Sequence, residues 1–291
     1  MTNNVVRTDY RGEVDLPELL YFCQRIWTVD NRWHVGDLAW DIGLTPEVTD
    51  EWRIALWRRD GQAIAAGWLT RPDQLSVVIG PDDAGMLGDV IAWADDLAGA
   101  AVAVTVLDSE AWLVDDLVRR GYTADLGGHF FLAMQRDIAD LEPVPALPEG
   151  FTVRPVRESE LGARAELHRR VWSSRMSDET YRAMASRRPY RIGFDWVAVA
   201  PGGELVSYVL GWYDEIHRIG EFEPVGTLTE FRRMGLSHAL GIALMHAFRA
   251  AGGERALVYA RGDDEYPTPR QVYGALGFEV HGRTVKYQPK R

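Results

Sequence analysis

Residues 220–248 read GEFEPVGTLTEFRRMGLSHALGIALMHAF. An extended stretch ends near Thr227, a short polar turn follows, and a long helix begins at Gly235 or Leu236. Leu236, Leu240, Ala243, Leu244 and Ala247 fall on one helical stripe, and Gly252-Gly253 stop the helix. Within the turn stand Arg232, Arg233, Met234, Gly235, Leu236 and Ser237. A helix N-terminus presents unpaired N–H groups and a partial positive charge, and glycine lets a ligand approach the backbone, so this order of elements suits an anion. The two arginines add charge and Ser237 a hydroxyl donor. Gly-Lys-Ser/Thr and GxGxxG are both missing, which excludes a Walker loop and a dinucleotide fingerprint. By itself the turn is equally compatible with a capped helix carrying surface arginines.

Working outward, the second half reads as strand 151–156, helix 158–172, an irregular or helical stretch 173–192, and strands 195–200, 204–213 and 219–227. The helix 235–251, strand 255–260, helix 268–276 and a terminal strand pair over 278–288 complete it. The first half repeats this order. QRIW (Gln24 to Trp27) is echoed by RRVW (Arg169 to Trp172), and the hairpin Arg53 to Leu69, turning at Asp60-Gly61, by Trp196 to Tyr213. Gly67-Trp68 and Gly211-Trp212 fall at matching places. Between the halves, DIADLEPVPALPEG (137–150) carries Pro143, Pro145 and Pro148 and reads as a connector. The expected organisation is a domain over 1–140, a linker over 141–150 and a domain over 151–291. The fold class is α/β (α+β), each domain a mixed, mostly antiparallel sheet flanked by helices.

The chain has 291 residues, a formal charge of −11 and 46% hydrophobic residues, a combination that excludes intrinsic disorder. The charge is uneven: residues 1–145 hold 11 Arg and no Lys against 25 acids, and residues 146–291 hold 21 Lys+Arg against 18. No basic run suits nucleic acid, so no such partner is expected. The single Cys23 and the absence of metal-ligand spacings argue against a metal centre. No stretch approaches 18 uninterrupted apolar residues and no signal peptide is evident, so the expectation is a cytoplasmic protein without membrane contact, a monomer or homodimer.

The run R-x-x-G-x-S from Arg232 to Ser237 resembles the Q/R-x-x-G-x-G/A acetyl-CoA motif of the GCN5-related N-acetyltransferase (GNAT) family. Val272 to Phe278, VYGALGF, is similar to that family's later [LF]-Y-x-x-x-G-F helix. The resemblance covers about 135 residues, 151–288, and departs from the motif at Ser237 and at Tyr266, where many relatives have Asn. The two-copy layout resembles tandem members of the mycothiol synthase type. These likenesses imply two tandem GNAT-like domains, with acetyl-CoA as co-substrate and a small-molecule amine as acceptor.

The resemblance also implies roles. Glu221, eleven residues before Arg232, takes the place of the family's general base, and Tyr273 that of the general acid. Glu223 is a second choice for the base or an acceptor-binding carboxylate; strand alternation puts both glutamates on one face. The backbone of Val225, Gly226 and Thr227 would pair with the pantetheine arm, and Arg232, Arg233, Met234, Gly235, Leu236 and Ser237 would hold the pyrophosphate. His168, Trp172, Tyr181, Tyr190 and Trp196 fall near the region that shapes the acceptor pocket, with core packing the better reading of any one of them. His217, His238 and His246 read as surface or packing residues. In the first half Asp82 and Asp83 stand where the anion-binding arginine should be, each close carboxylate–phosphate pair costing about 1 kcal/mol. That copy is expected to be degenerate, a structural unit or one wall of the acceptor pocket. Two other functions fit the same residues: acetylation of a cysteinyl pseudo-disaccharide of the mycothiol synthase type, and a non-catalytic CoA-binding scaffold or sensor.

Overall fold

The computed structural model describes residues 4–42, 52–70 and 72–290. The first half supplies β1 (Val5–Asp9), α1 (Leu16–Ile26), α2 (Val35–Asp41), β2 (Trp52–Arg59), β3 (Gln62–Thr70), β4 (Gln74–Ile79), α3 (Leu87–Ala98), β5 (Ala103–Leu107), α4 (Ala111–Arg119), β6 (Tyr122–Asp125) and β7 (Phe131–Asp137). The second supplies β8 (Thr152–Pro155), α5 (Leu161–Trp172), α6 (Asp178–Ala185), β9 (Asp195–Val199), β10 (Leu205–Asp214), β11 (Ile219–Thr227), α7 (Leu236–Ala250), β12 (Arg255–Arg261), α8 (Thr268–Ala275) and β13 (Glu279–Pro289).

The chain forms two compact units that do not part at the proline-rich connector. One takes the described residues up to Val35, those from Trp52 to Phe131, and those from Gly282 onward; the other takes Gly36 to Ile42 and Leu132 to His281. Relative to the division expected at 141–150, segments 36–42 and 132–140 therefore go with the second unit, and 282–290 with the first. The expected terminal strand pair is also corrected: β13 is one continuous strand. Gly282 does not turn the chain. A side chain there would stand 2.7 Å from an Asp108 carboxylate oxygen, so the glycine admits a close approach within an extended strand.

Within each unit the strand order repeats. In the first, β1, β2, β3 and β4 are antiparallel neighbours, β4 pairs β5 in parallel, and β13 follows β5 antiparallel. In the second, β8, β9, β10 and β11 are antiparallel neighbours, β11 pairs β12 in parallel, and β7 lies beside β12. The hairpin turn at Asp60-Gly61 has both residues at positive φ, 53° and 80°, the conformation that a two-residue turn needs to match strand twist.

The matched Gly-Trp pairs have a packing cause. A side chain on Gly67 would run into Val90 and Trp93 of α3, and one on Gly211 into Phe248 and Leu244 of α7. Each glycine lets the helix that makes the parallel crossover lie directly on the sheet. Phe248 is fully buried there, stacked on Tyr213 and edge-on to Phe222. The second core continues through Val258, Leu276 and Phe278, and fixes α7 and α8 relative to β11.

Candidate active site

Glu221 lies third in β11, opposite Trp212 of β10 and beside Leu257 of β12. The parallel pairing of β11 with β12 runs only from Ile219↔Arg255 to Glu221↔Leu257. On its other side β11 stays paired with β10 as far as Thr227↔Ser207. Residues 222–227 therefore present an edge toward β12 that no parallel ladder occupies among the described residues, and Val225, Gly226 and Thr227 lie along it. Between Phe222 and Val225 the register against β10 slips by one residue, a bulge that holds Glu223 and Pro224.

The turn after β11 takes the form an anion site requires. Arg233 and Gly235 both have positive φ, 65° and 78°, and α7 starts at Leu236 without a side-chain cap. The first backbone bond into the helix runs from Ala239 N–H to Gly235 C=O. Among the described residues, the N–H groups of Gly235 through His238 donate to no backbone or side-chain acceptor. These orphan donors sit at the positive end of a 15-residue helix. Arg232 and Arg233 are exposed beside them, and Arg232 Nε donates to the Thr227 carbonyl at 3.3 Å. A side chain on Gly235 would meet nothing within 4 Å, so its backbone conformation, not crowding, calls for glycine.

Glu221 is 1% exposed, whereas Glu223 is only half-buried, so the two carboxylates do not share one environment. Tyr273, on α8, packs edge-on against Phe222 and Phe278. Burial, and after it the negative charge of Glu223, holds its phenol well above the ordinary tyrosine value. Tyr273 is therefore protonated at neutral pH.

No protein-family model matches the chain. The mycothiol acetyltransferase of Tsukamurella paurometabola is 27% identical to it over 241 residues, covering 74% of this chain and 78% of that protein. A GCN5-related N-acetyltransferase structure from Sphaerobacter thermophilus superposes with a TM-score of 0.61 at 20% identity, covering 99% of this chain and 97% of that one. A tandem GNAT protein from the clavulanic acid biosynthesis pathway does so with a TM-score of 0.63 at 16% identity, over 98% of both chains. The fold is that of a tandem GNAT protein.

On the tandem GNAT framework, the side of β10 that carries Tyr208 holds a network the sequence only partly announces. Arg164 of α5 is fully buried, stacks 3.5 Å over the Tyr208 ring and donates through Nε to Asp195 at 2.9 Å. Asp195 also accepts from the Tyr190 hydroxyl at 3.1 Å and from that of Tyr181. Tyr208 accepts from Trp172 Nε1 at 2.8 Å and is bonded to His168 Nδ1 at 2.7 Å. Burial, and the nearby Arg164 cation, push His168 down to about 4, so its ring is neutral at physiological pH. Trp196 stands apart from this network and donates to the Gly193 carbonyl.

His217 is bonded to Asp214, and His246 to the Glu142 carbonyl and Arg249, which makes both structural. Sequence reasoning missed Arg164, Asp195 and Tyr208. A signal for Arg164 was present: it sits at i+3 from Leu161 and i−3 from Leu167, on the stripe that α5 buries. A charge on a buried stripe calls for a partner.

The first unit of this tandem GNAT fold differs at the matching places. Trp68, the counterpart of Trp212, lies opposite Ser76, so a serine stands where the second unit has Glu221. The β3–β4 register runs there without a bulge. Residues Pro81–Met86 form a 3₁₀ turn before α3, with Asp82 and Asp83 in its first turn and Asp83 paired to Arg59 at 2.7 Å. Among the described residues no group of three His, Cys, Asp or Glu is placed to hold a metal, and no helix is long and apolar enough to cross a membrane.

Proposed function

We propose that the second unit transfers an acetyl group from acetyl-CoA to the amine of a small molecule. The observation that carries this reading is the run of unpartnered amides from Gly235 to His238, at the end of a strand edge that β12 leaves open. The amides and the two arginines suit a pyrophosphate, and the backbone of Val225, Gly226 and Thr227 suits the amide groups of a pantetheine arm, as a strand edge suits an extended peptide. Acetyl-CoA supplies an electrophilic thioester carbonyl.

The residues account for both proton transfers. As the amine nitrogen bonds to the carbonyl carbon, Glu221 accepts the proton that nitrogen must lose. As the C–S bond breaks, Tyr273 gives its phenolic proton to the departing sulfur, and the proton on Glu221 balances the one Tyr273 gave. The buried phenol is kept protonated, the state a donor requires. Glu223, half-buried and close enough to influence Tyr273, is the second carboxylate of the site and suits an acceptor ammonium. The first unit, with Ser76 at the base position and acids at the phosphate position, is a degenerate copy that binds no acetyl-CoA.

A second reading concerns the acceptor. The 241-residue match to a mycothiol acetyltransferase favours a shared acceptor, and the cysteinyl pseudo-disaccharide belongs in any substrate panel. A CoA sensor would need the turn but neither Glu221 nor Tyr273. The test is thiol release from acetyl-CoA over a panel of primary amines, with Glu221→Gln and Tyr273→Phe beside the unsubstituted protein. General acid–base groups contribute about 10² to 10⁴ in rate, so each variant should lose at least about 100-fold in kcat with little change in KM for acetyl-CoA. Turnover unchanged in both variants would sink the mechanism.

A further inference from the structure

Glu221 Oε2 accepts a hydrogen bond of 3.0 Å from the backbone N–H of Asp37, a residue 184 positions earlier in the chain. Asp37 is in the first turn of α2, where an amide has no helical acceptor and is available to an outside one. The next residue toward the N-terminus is fitted to the same carboxylate. A Cβ on Gly36 would overlap Glu221 Oε2 and stand 2.6 Å from Cβ of Trp212, the residue paired with Glu221 across the strands. Trp212 is itself held by its indole N–H, which donates to the Glu223 carbonyl at 2.6 Å. One turn further along α2, Trp40 packs edge-on against His168, with ring centroids 5.3 Å apart. Residues 36–42 lie with the second unit, and two of them, Gly36 and Asp37, meet the candidate base.

We propose that Gly36 and Asp37 are positioning residues for catalysis: the Asp37 amide fixes the Glu221 carboxylate in one orientation, and Gly36 is glycine so that the amide can approach. The inference rests on the reading of Glu221 as the base. A charge-assisted hydrogen bond in a buried setting locks the side chain's terminal torsion, and a misplacement of about 1 Å at a reacting group costs about 10²-fold in rate. A segment 184 residues earlier in the chain thereby orients Glu221.

Asp37→Pro replaces the N–H by a ring carbon, which removes the donor and crowds Glu221 Oε2, while no helical bond is lost in a first helical turn. Asp37→Ala keeps the N–H and controls for the carboxylate, whose side chain is buried. Both are assayed by thiol release from acetyl-CoA with the panel amine turned over fastest, or with water where no amine exceeds hydrolysis. The expected result is a kcat at least tenfold lower in Asp37→Pro than in Asp37→Ala, KM for acetyl-CoA within twofold, and no gap between the two in a Glu221→Gln background.

Equal kcat in the two variants while Glu221→Gln is impaired overturns the positioning role alone. Wild-type turnover by Glu221→Gln overturns the base and the positioning role together. A gap that persists in the Glu221→Gln background shows that the amide acts elsewhere, and also overturns it. Should Asp37→Pro not fold, the Asp37 amide resonance in ¹⁵N-aspartate-labelled full-length protein gives the answer. It should titrate with pH in the unsubstituted protein and cease to do so in Glu221→Gln; an amide shift indifferent to that substitution contradicts the proposal.

Discussion

Asp195 receives three donors at once, from Arg164, Tyr181 and Tyr190. It is fully buried, as is Arg164, whose two terminal guanidinium nitrogens find no acceptor among the described residues. Removing one member of a buried ion pair strands the other charge, so Asp195→Ala should cost about 3–5 kcal/mol in chemical denaturation; a loss under 1 kcal/mol would contradict the assigned role. A leucine replacing Arg164 together with Asp195→Ala should recover part of that loss, because no charge is then left buried. The sequence marked these positions unevenly. Tyr181 and Tyr190 were placed near the acceptor region by resemblance, but their common partner Asp195, the first residue of β9, carried no motif that singled it out. Glu221 and Tyr273 could be singled out as candidates because spacing within a motif is a local property. The Asp37 amide was not, since a backbone donor 184 residues away has no side-chain signature.

Elements were read well where apolar periodicity and turn chemistry agree, as in α7 and in the hairpin turning at Asp60-Gly61. β13 was misread as two strands because alternation shows a strand's faces and says nothing of whether the chain reverses. The bulge at Glu223 and Pro224 likewise depends on pairing with β10. Another element carries a titration that no pattern announces. Glu110, at the N-terminal end of α4, is buried and accepts from the Asn31 side chain at 3.1 Å and from the Leu107 amide at 3.2 Å. Burial outweighs these bonds and pushes its carboxyl up to about 7. The folded state then holds its proton more tightly than the unfolded one, so this contribution is complete below about pH 4.5 and is lost as pH rises through 7. Between pH 4.5 and 8, Glu110→Gln should gain on the order of 3 kcal/mol of stability relative to the unsubstituted protein. A difference that stays constant over this range would contradict the titration.

Across the whole molecule, the duplicated order of elements, the single arginine-bearing turn and the uneven charge were all visible from the residues. The exchange of segments between units was not. The proline-rich connector marks where the repeat begins again, but strand partners are chosen by register and burial, so β7 joins the sheet of the second unit and most of β13 that of the first. The charge asymmetry acquires a local cause at the two helix starts: Arg232 and Arg233 precede α7, and Asp82 and Asp83 precede α3. On the proposed function, only the turn before α7 receives acetyl-CoA. Calorimetric titration of the full-length protein with acetyl-CoA, beside a variant carrying Arg232→Glu and Gly235→Glu, counts the sites. One site per chain and none in the double variant is the expected result; two sites, or one that survives both substitutions, would overturn the assignment to the second unit.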